Sequence, residues 1–373
     1  MRLLRYMMAC AAVAVGVQAG AKDKVTVSVT PVERDGDAAH GGVIYSLPQT
    51  VLQIRLTARV VVSTAGPFYK YATRHLNMTD VVTANAMDWK VIGAEVLTAG
   101  RADNSKRYKV TASAVEGMPN IVTAEDGRLL GVNTACAGGR CERKAREEQV
   151  RVAYADLQKV HLPGSVLMRT STASMAEECA QSIYALREAR VDLISGSKDS
   201  QVADAGAMQT ALARIDREEQ ELVELFVGVR DTLIVSKVVE VVPDYNGESS
   251  VVPIRFSETH GFVDALDLSG KPIYVDMEFD DSSKVNEYPE GSKQRKASPV
   301  SGFRYYLPCN LMVKVLDRNI LLTETRVRCT QNAQLMSLPA EYLRECEIEI
   351  DGANGSLKSL RRKAADESTK KGK

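Results

Sequence analysis

The sequence predicts an α+β protein in which two antiparallel β modules, sandwich-like or barrel-like, are joined by an α-helical hairpin. Apolar and polar residues alternate with a period of two on both sides of the middle of the chain. Between residues 171 and 228, glycine and proline nearly vanish and apolar residues recur at intervals of three and four. A chain of 373 residues also exceeds a typical single core, so more than one module is expected.

A signal peptide is predicted over residues 1–21. Two arginines are followed by an apolar run, residues 7–17, that is too short to span a bilayer. The small residues after this run fit cleavage by a signal peptidase after Ala19 or Ala21. The sequence therefore predicts an exported protein whose mature chain has no transmembrane segment.

The first β module is predicted over residues 22–170. Val25, Val27 and Val29 alternate with polar residues, and the same alternation continues through residues 53–60. These patterns are typical of strands with one buried face. Turn-forming residues separate further strand candidates at 90–97, 108–114 and 149–155.

The helical hairpin is predicted over residues 171–230. Ser174 and Glu177 form a capping box, after which apolar residues line one face until Gly196 ends the first helix. The second helix is predicted from residue 204 to 228, where another glycine ends it. Each helix has a single apolar stripe, so the two are expected to pack against each other or against a sheet.

The second β module is predicted over residues 231–352, and residues 317–319 are expected to join two of its strands as a hairpin. Residues 281–298 are polar and weakly patterned, which predicts a long exposed loop. The end of the chain, residues 353–373, is predicted to be a basic disordered tail. The strand candidates of this module are at 238–242, 251–256, 273–279, 311–316 and 320–327.

One short segment recurs in the two modules. Tyr-Ser-Leu-Pro at residues 45–48 is similar to Tyr-Tyr-Leu-Pro at residues 305–308, and each precedes a strand candidate. The match indicates that the two modules begin alike. It does not establish a duplication, because it is short and the alternation after it differs by one residue.

Charge and composition argue against several classes of function. The chain has 48 basic and 48 acidic residues, and the basic residues cluster only in the tail. A nucleic-acid partner is not expected, since such proteins usually carry a basic face. No metal or other cofactor is predicted, because CxxC and HExxH motifs are missing from the sequence. The four histidines are also not spaced as metal ligands; they are His40, His75, His161 and His260.

Ser257, Glu258, His260 and Asp264 form the best candidate for acid–base chemistry. These residue types could supply a nucleophile, a base and an orienting carboxylate. They lie on a short polar turn before Gly261, without the strained turn or oxyanion donors that such chemistry needs. We therefore favour a solvated loop and keep a hydrolase site near His260 as the alternative.

Seven cysteines are present, and one of them lies in the predicted signal peptide. The even number that remains is compatible with disulfides in an exported protein. Cys136 and Cys141 bracket the sequence Ala-Gly-Gly-Arg and are the best candidates for a disulfide, across the end of a hairpin. Cys309 and Cys329 lie near diagonal positions of the predicted hairpin and could also join, whereas Cys179 is expected to be a free core thiol.

An aromatic group consists of Phe68, Tyr69 and Tyr71, with Trp89 further along the chain. One interpretation is a platform on which sugar rings stack. Packing in the core or between modules is the more common role of such residues, and few other aromatics are available to complete a platform.

The chain carries a set of recognisable sequence blocks, at 42–50, 66–72, 89, 176–190, 221–228 and 302–308. These blocks resemble the domain-of-unknown-function family 4831, whose members are exported proteins of Gram-negative gut bacteria. The resemblance implies a location in the periplasm or at the outer membrane, and it implies no reaction. Asn77 and Asn332 stand where the family pattern has glycine, a change that an αL turn tolerates.

The sequence assigns no function by itself. We expect a non-enzymatic, exported, envelope-associated binding or assembly protein that uses sheet edges or a groove between modules to hold its partner. An envelope protein or a glycan is the expected partner. The alternative is a periplasmic hydrolase with its site near His260, and the oligomeric state is not predicted.

Overall fold

A computed structural model describes most of the chain after the predicted signal peptide. The described residues are 26–32, 41–114, 118–134, 145–148, 150–195, 205–244, 249–280 and 302–363. The predicted cleavage sites at Ala19 and Ala21, the Cys136–Cys141 pair and the predicted loop at 281–298 lie outside these residues.

The first part of the chain forms strands that match the alternating segments, with longer bounds than expected. Its strands are β1 (Val27–Pro31), β2 (Val43–Thr64), β3 (Ala86–Ala112), β4 (Ile121–Thr123) and β5 (Leu129–Val132).

The helices of the described residues are α1 (Ala72–Leu76), α2 (Gly164–Leu167), α3 (Thr172–Ser195), α4 (Ala205–Val227) and α5 (Tyr342–Glu345). Short 3₁₀ turns lie at Tyr69–Tyr71 and Leu157–Lys159.

The strands that follow the two long helices complete the β structure. They are β6 (Val229–Val241), β7 (Ser249–Ser257), β8 (Gly261–Val263), β9 (Lys271–Phe279), β10 (Gly302–Asp317), β11 (Ile320–Pro339), β12 (Cys346–Ile350) and β13 (Leu357–Arg362). The protein is thus a β-rich α+β protein, as predicted.

The described strands form three sheets in which neighbouring strands are antiparallel. The first sheet has the order β1-β3-β2-β6, the second β11-β10-β9-β7-β8, and the third β13-β12-β5-β4. This topology differs from the predicted division at 22–170 and 231–352, because β6 pairs with β2 and β12 pairs with β5. The first and third sheets therefore combine strands from the two predicted modules. Local alternation could not reveal this, because it does not specify which strands pair.

The predicted disordered tail also differs from the structure. Within residues 353–373, β13 pairs with β12, placing Leu360 opposite Ile348. Ala353 and Asn354 are buried before this strand begins. The strand was missed because its burial pattern is mostly exposed, so its sequence lacks the apolar alternation of a half-buried strand.

Side chains from the first and second sheets pack into one apolar group, which we call the central cluster. It includes Leu52 and Ile54 of β2, Ile273 of β9, and Leu311 and Val313 of β10. Each of these side chains is fully buried. Burial of one such side chain stabilises the fold by about 1.5–3 kcal/mol, so this contact is a major source of stability.

Two further apolar groups flank the central cluster. The end cluster joins the third sheet to the beginnings of β2 and β10, and its members include Tyr45, Leu129, Phe303, Tyr306 and Ile348. The helix cluster joins α3 and α4 to the segment after β2. Its buried members are Phe68, Ala72, Leu76, Val166, Ala176, Cys179, Ala180, Ile183, Leu222, Leu225 and Phe226.

Helices α3 and α4 begin and end close to the predicted positions. The backbone N–H of Ser174 donates to the hydroxyl of Ser171 at 3.2 Å, so the N-terminal cap lies three residues before the predicted capping box. Gly228 ends α4 with a φ of 78°, a conformation that glycine adopts without strain. Ion pairs such as Arg187–Glu219, at 2.7 Å, link the two helices.

The recurring Tyr-x-Leu-Pro segments occupy corresponding positions in the fold. The N–H of Ser46 donates to the carbonyl of Gly127, and that of Tyr306 to the carbonyl of Gly355, both at 2.9 Å. The strand register shifts just after each of these residues, in β2 and in β10. The structure therefore contains two similar units. In one, the long pair β2–β3 is followed by the short pair β4–β5, whose turn binds β2; in the other, β10–β11 is followed by β12–β13, whose turn binds β10.

Candidate functional site

An open groove of about 1020 Å³ lies between the end of β2 and the helices α3 and α4. Its floor is largely apolar and includes Phe68, Met175 and Leu225. One wall is formed by residues 151–160, most of which lie outside regular secondary structure. The groove is at the upper limit of pockets for small ligands, which measure about 300–1,000 Å³.

The groove wall is bound to the first sheet by hydrogen bonds from backbone to side chains. In the wall, the N–H of Ala155 donates to the hydroxyl of Thr64 at 2.9 Å; three residues before the wall begins, the N–H of Glu148 donates to the hydroxyl of Ser236 at 3.0 Å. Residues 150–155 lie outside every strand, so the prediction of a strand at 149–155 was wrong. These N–H groups donate to side chains of β6 and β2 and not to the backbone of a neighbouring strand. Residues 150–155 therefore do not join a sheet.

The rim of the groove carries charges of both signs and one exposed aromatic ring. Arg151, Asp156 and Lys159 line it, and the ammonium of Lys159 lies 3.0 Å from a carboxylate oxygen of Asp156. Tyr154 is 43% exposed although it lines the groove. An apolar floor with a mixed polar rim is the arrangement found in sites that bind part of another macromolecule.

Phe68 is held rigidly in the floor. It is 3% exposed, its ring centroid lies 5.4 Å from that of Phe226, and its N–H donates to the carbonyl of Leu225 at 2.9 Å. Gly66 allows this approach, because a Cβ there would overlap the same Leu225 carbonyl. The floor is therefore preformed.

The predicted aromatic platform is not assembled as one surface. Phe68 and Tyr71 pack in the helix cluster, and Tyr69 lies beside them in the 3₁₀ turn. Trp89 instead packs against the central cluster, and its backbone N–H donates to the carbonyl of Glu258 at 2.9 Å. The packing interpretation thus accounts for Phe68, Tyr71 and Trp89, because the fold places them against different clusters.

The candidate catalytic residues form hydrogen bonds that stabilise a turn. The hydroxyl of Ser257 accepts from the N–H groups of Thr259 and His260, both at 3.3 Å. The exposed ring of His260 has its Nδ1 2.8 Å from the hydroxyl of Thr259. In the described part of the chain, the bonds of this ring are to hydroxyl groups rather than to a carboxylate, so the orienting group of a catalytic triad is not in place.

The two carboxylates of that candidate site also have local roles. Asp264 accepts a hydrogen bond from the N–H of Leu266 at 2.9 Å, which closes a turn. Glu258 forms an exposed ion pair with Lys271, and the hydrogen bond from this lysine lowers the pKa of the Glu258 carboxyl. A general acid would need the opposite shift.

Four cysteines lie within the described residues, and all are buried free thiols: Cys179, Cys309, Cys329 and Cys346. Cys179 lies in the helix cluster, as expected, and burial raises its pKa to about 11. Cys309 lies directly opposite Cys329 in neighbouring strands rather than on a diagonal. The predicted hairpin, with residue 316 opposite residue 320, would place residue 327 opposite Cys309, so the predicted register was wrong by two residues here.

Two kinds of feature are absent from the described residues. No three His, Cys, Asp or Glu side chains in these residues are grouped so that they could hold a metal ion. No helix in the described stretches is long and apolar enough to cross a membrane.

Sequence reasoning missed the groove because its residues come from distant parts of the chain. Tyr154 belongs to the segment at 149–155 that the alternation predicted to be a strand, whereas Lys159 and Met175 carried no site prediction. The nearest local signal was proline at position 163, which separates this segment from α2. It indicates a break in structure but says nothing about a cavity.

The fold and site together define a β-rich α+β protein with an open groove beside its two long helices. The chain belongs to the family described as a domain of unknown function, DUF4831, whose model matches residues 41–358. No curated protein and no solved structure matches the chain. The backbone at both asparagines that replace the expected glycine is left-handed, with φ of 54° at Asn77 and 60° at Asn332.

Proposed function

We propose that the protein is a non-enzymatic, exported binding protein of the cell envelope, and that the groove holds an extended segment of a protein partner. The observation that carries this proposal is the groove itself, with its apolar floor and its rim of Arg151, Tyr154, Asp156 and Lys159. The hairpin of α3 and α4 belongs to the same proposal, because Met175 of α3 and Leu225 of α4 line the groove. The sandwich-like packing of the first two sheets is proposed with it.

A protein segment fits the groove better than a glycan does. Sugar-binding sites usually expose several aromatic faces beside carboxylates, whereas this rim has a single half-exposed ring at Tyr154 and charges of both signs. A polypeptide can place apolar side chains on the floor and pair its own charges with the rim. A hydrolase near His260 has no comparable support, because its ring is exposed and is bonded to a threonine.

Photo-crosslinking tests this proposal directly. With p-benzoylphenylalanine in place of Tyr154, we expect the same envelope protein to be crosslinked repeatedly in intact cells. The matched control carries the crosslinker in place of Tyr274, an equally half-exposed tyrosine on β9 of the second sheet. Products that are equal at both positions, or a glycan in place of a protein at Tyr154, would count against the proposal.

Binding of the identified partner can then be measured with purified proteins. We expect Tyr154→Ala to weaken binding about tenfold or more, since an aromatic side chain inside an interface often contributes above 1.4 kcal/mol. Lys159→Glu is expected to have a smaller effect that diminishes as salt is added, because its side chain is exposed. Lys90→Glu, an exposed change on β3, serves as the control and should leave the dissociation constant unchanged.

Export has its own test, independent of the partner. We expect the mature protein in an envelope fraction to begin immediately after Ala19 or Ala21, as determined by amino-terminal sequencing. A protein that keeps its first residues and remains in the cytosolic fraction would contradict the export part of the proposal. The role of the groove is decided separately, by the crosslinking measurement.

A further inference from the structure

Cys309 and Cys329 are paired across two neighbouring strands. Cys309 in β10 is directly opposite Cys329 in β11, and their sulfur atoms are 3.3 Å apart. Both side chains are buried, with exposures of 4% and 0%. Directly opposed residues of an antiparallel pair have Cα atoms about 4.5–5.5 Å apart, within the 4.4–6.8 Å that a disulfide spans.

A β-bulge creates this pairing. At the hairpin end, Leu316 pairs with Leu321, a register that would place Arg328 opposite Cys309. The register shifts between Leu316 and Val315, so that one additional residue of β11 lies in the hairpin and Cys329 moves opposite Cys309. The bulge therefore turns two offset cysteines into a facing pair.

We propose that Cys309 and Cys329 form a disulfide that links β10 to β11 when the protein folds in an oxidising compartment. The reaction needs an oxidant, and a disulfide compound supplies it. The sulfur atoms need to approach from 3.3 Å to about 2.05 Å, which side-chain rotation can achieve without separating the strands.

The exchange proceeds in two balanced steps. The Cys309 thiolate attacks one sulfur of the disulfide compound, forming a mixed disulfide and releasing one thiolate. Cys329 then loses its proton to solvent or to the released thiolate and attacks the Cys309 sulfur, releasing the second thiolate. The two cysteines lose two electrons and two protons, and the disulfide compound is reduced to two thiols.

The roles of the two sulfur atoms follow from their contacts. Hydrogen bonding from the Cys329 thiol lowers the pKa of Cys309, whereas the same contact and burial raise the pKa of Cys329. Cys309 is therefore the first to ionise. Because both side chains are buried, the exchange takes place during local opening in which β10 and β11 remain paired.

The link lies next to the contacts between β11 and β2. The Sγ atom of Cys309 donates to the carbonyl of Gln331 at 2.7 Å, and the side chain of Gln331 donates to the carbonyl of Thr50 at 2.8 Å. A disulfide would remove the S–H that Cys309 donates to Gln331, but it would hold the β10–β11 pair in the register that the buried bond from Gln331 to Thr50 requires. It would thus stabilise the junction between the first and second sheets.

Refolding the mature full-length chain with oxidised glutathione tests the proposal. The refolded protein is then unfolded, alkylated with iodoacetamide and digested, and its peptides are identified by mass spectrometry. We expect the peptides of Cys309 and Cys329 to be joined, while Cys179 and Cys346 are alkylated. We also expect reduction to lower the Tm of the refolded protein by about 5 °C or more.

Variants make the result specific. Cys309→Ser should abolish the linked peptides and diminish the dependence of the Tm on reductant, whereas Cys179→Ser, the matched change at another buried thiol, should leave both unchanged. Even if Cys309→Ser does not fold, the wild-type peptide map decides the question. Complete alkylation of Cys309 and Cys329 in correctly refolded protein, or their joining to other cysteines, would overturn the proposal.

Discussion

Gly100→Ala is expected to lower the free energy of unfolding by about 3 kcal/mol or more. Gly100 lies in β3 opposite Thr50 of β2, where the turn between β12 and β13 approaches the sheet. A Cβ at this position would overlap the carbonyl oxygen of Gly352 and the guanidinium of Arg128. The carbonyl is backbone, so the turn between β12 and β13 would have to move away from β3.

The same substitution would disturb a buried charge. Arg128 is 7% exposed, donates from Nη1 to the Gly352 carbonyl at 2.7 Å, and pairs through Nε with Asp126 at 2.6 Å. Displacing the Gly352 carbonyl leaves part of this guanidinium without its partner in a water-poor site. Such a loss is costly because the charge cannot be solvated where it lies.

Gly93→Ala is the matched control for Gly100→Ala. Gly93 lies in the same strand, and a Cβ added there would meet no atom within 4 Å. We expect the midpoint of guanidinium unfolding to stay within experimental error for this variant or to rise slightly, since alanine restricts the unfolded chain. Equal destabilisation by both changes would show that the close approach at Gly100 is not tight.

Thr50→Val should cost about 2–4 kcal/mol of unfolding free energy. The hydroxyl of Thr50 accepts from the N–H of Thr330 at 3.0 Å and donates to the carbonyl of Ala353 at 2.9 Å. Valine has nearly the same shape but lacks the oxygen, so two buried backbone groups would lose a partner at once. Thr50 is fully buried, which leaves little room for water to replace the hydroxyl.

Thr57→Val is the control for this prediction. Thr57 lies on the same strand, and it is only half-buried on the opposite face. The change in chemistry is identical, and we expect its effect on the unfolding midpoint to correspond to less than about 0.5 kcal/mol. If the two valine variants unfold at the same denaturant concentration, the buried bonds of Thr50 contribute little net stability.

Local patterns predicted the two long helices well. Their bounds, Thr172–Ser195 and Ala205–Val227, end one residue before the glycines at 196 and 228 that the sequence marked as stops. Helical hydrogen bonds join residues four apart, so the information needed lies within the segment itself. Strand bounds were less accurate, since 90–97 and 108–114 are parts of one strand, β3.

The pairing of strands could not be read in the same way. The alternation at 149–155 indicated a strand, but the N–H of Ala155 donates to the side chain of Thr64 instead of to a neighbouring strand's backbone. The register of Cys309 and Cys329 depended on a bulge several residues away. In each case the deciding partner is distant in sequence, and period-two alternation does not encode which partner a strand chooses.

The amino-acid sequence by itself determined the α+β class, the two long helices, the family resemblance that the family match confirmed, and the alternating segments that became most of the strands. The tertiary structure alone decided that strands of the two predicted modules share sheets, that the groove exists, and that two buried thiols face each other. The physical reason is the range of the interactions. Capping and periodicity act over a few neighbouring residues, whereas sheets, cavities and facing side chains arise only when distant segments pack together.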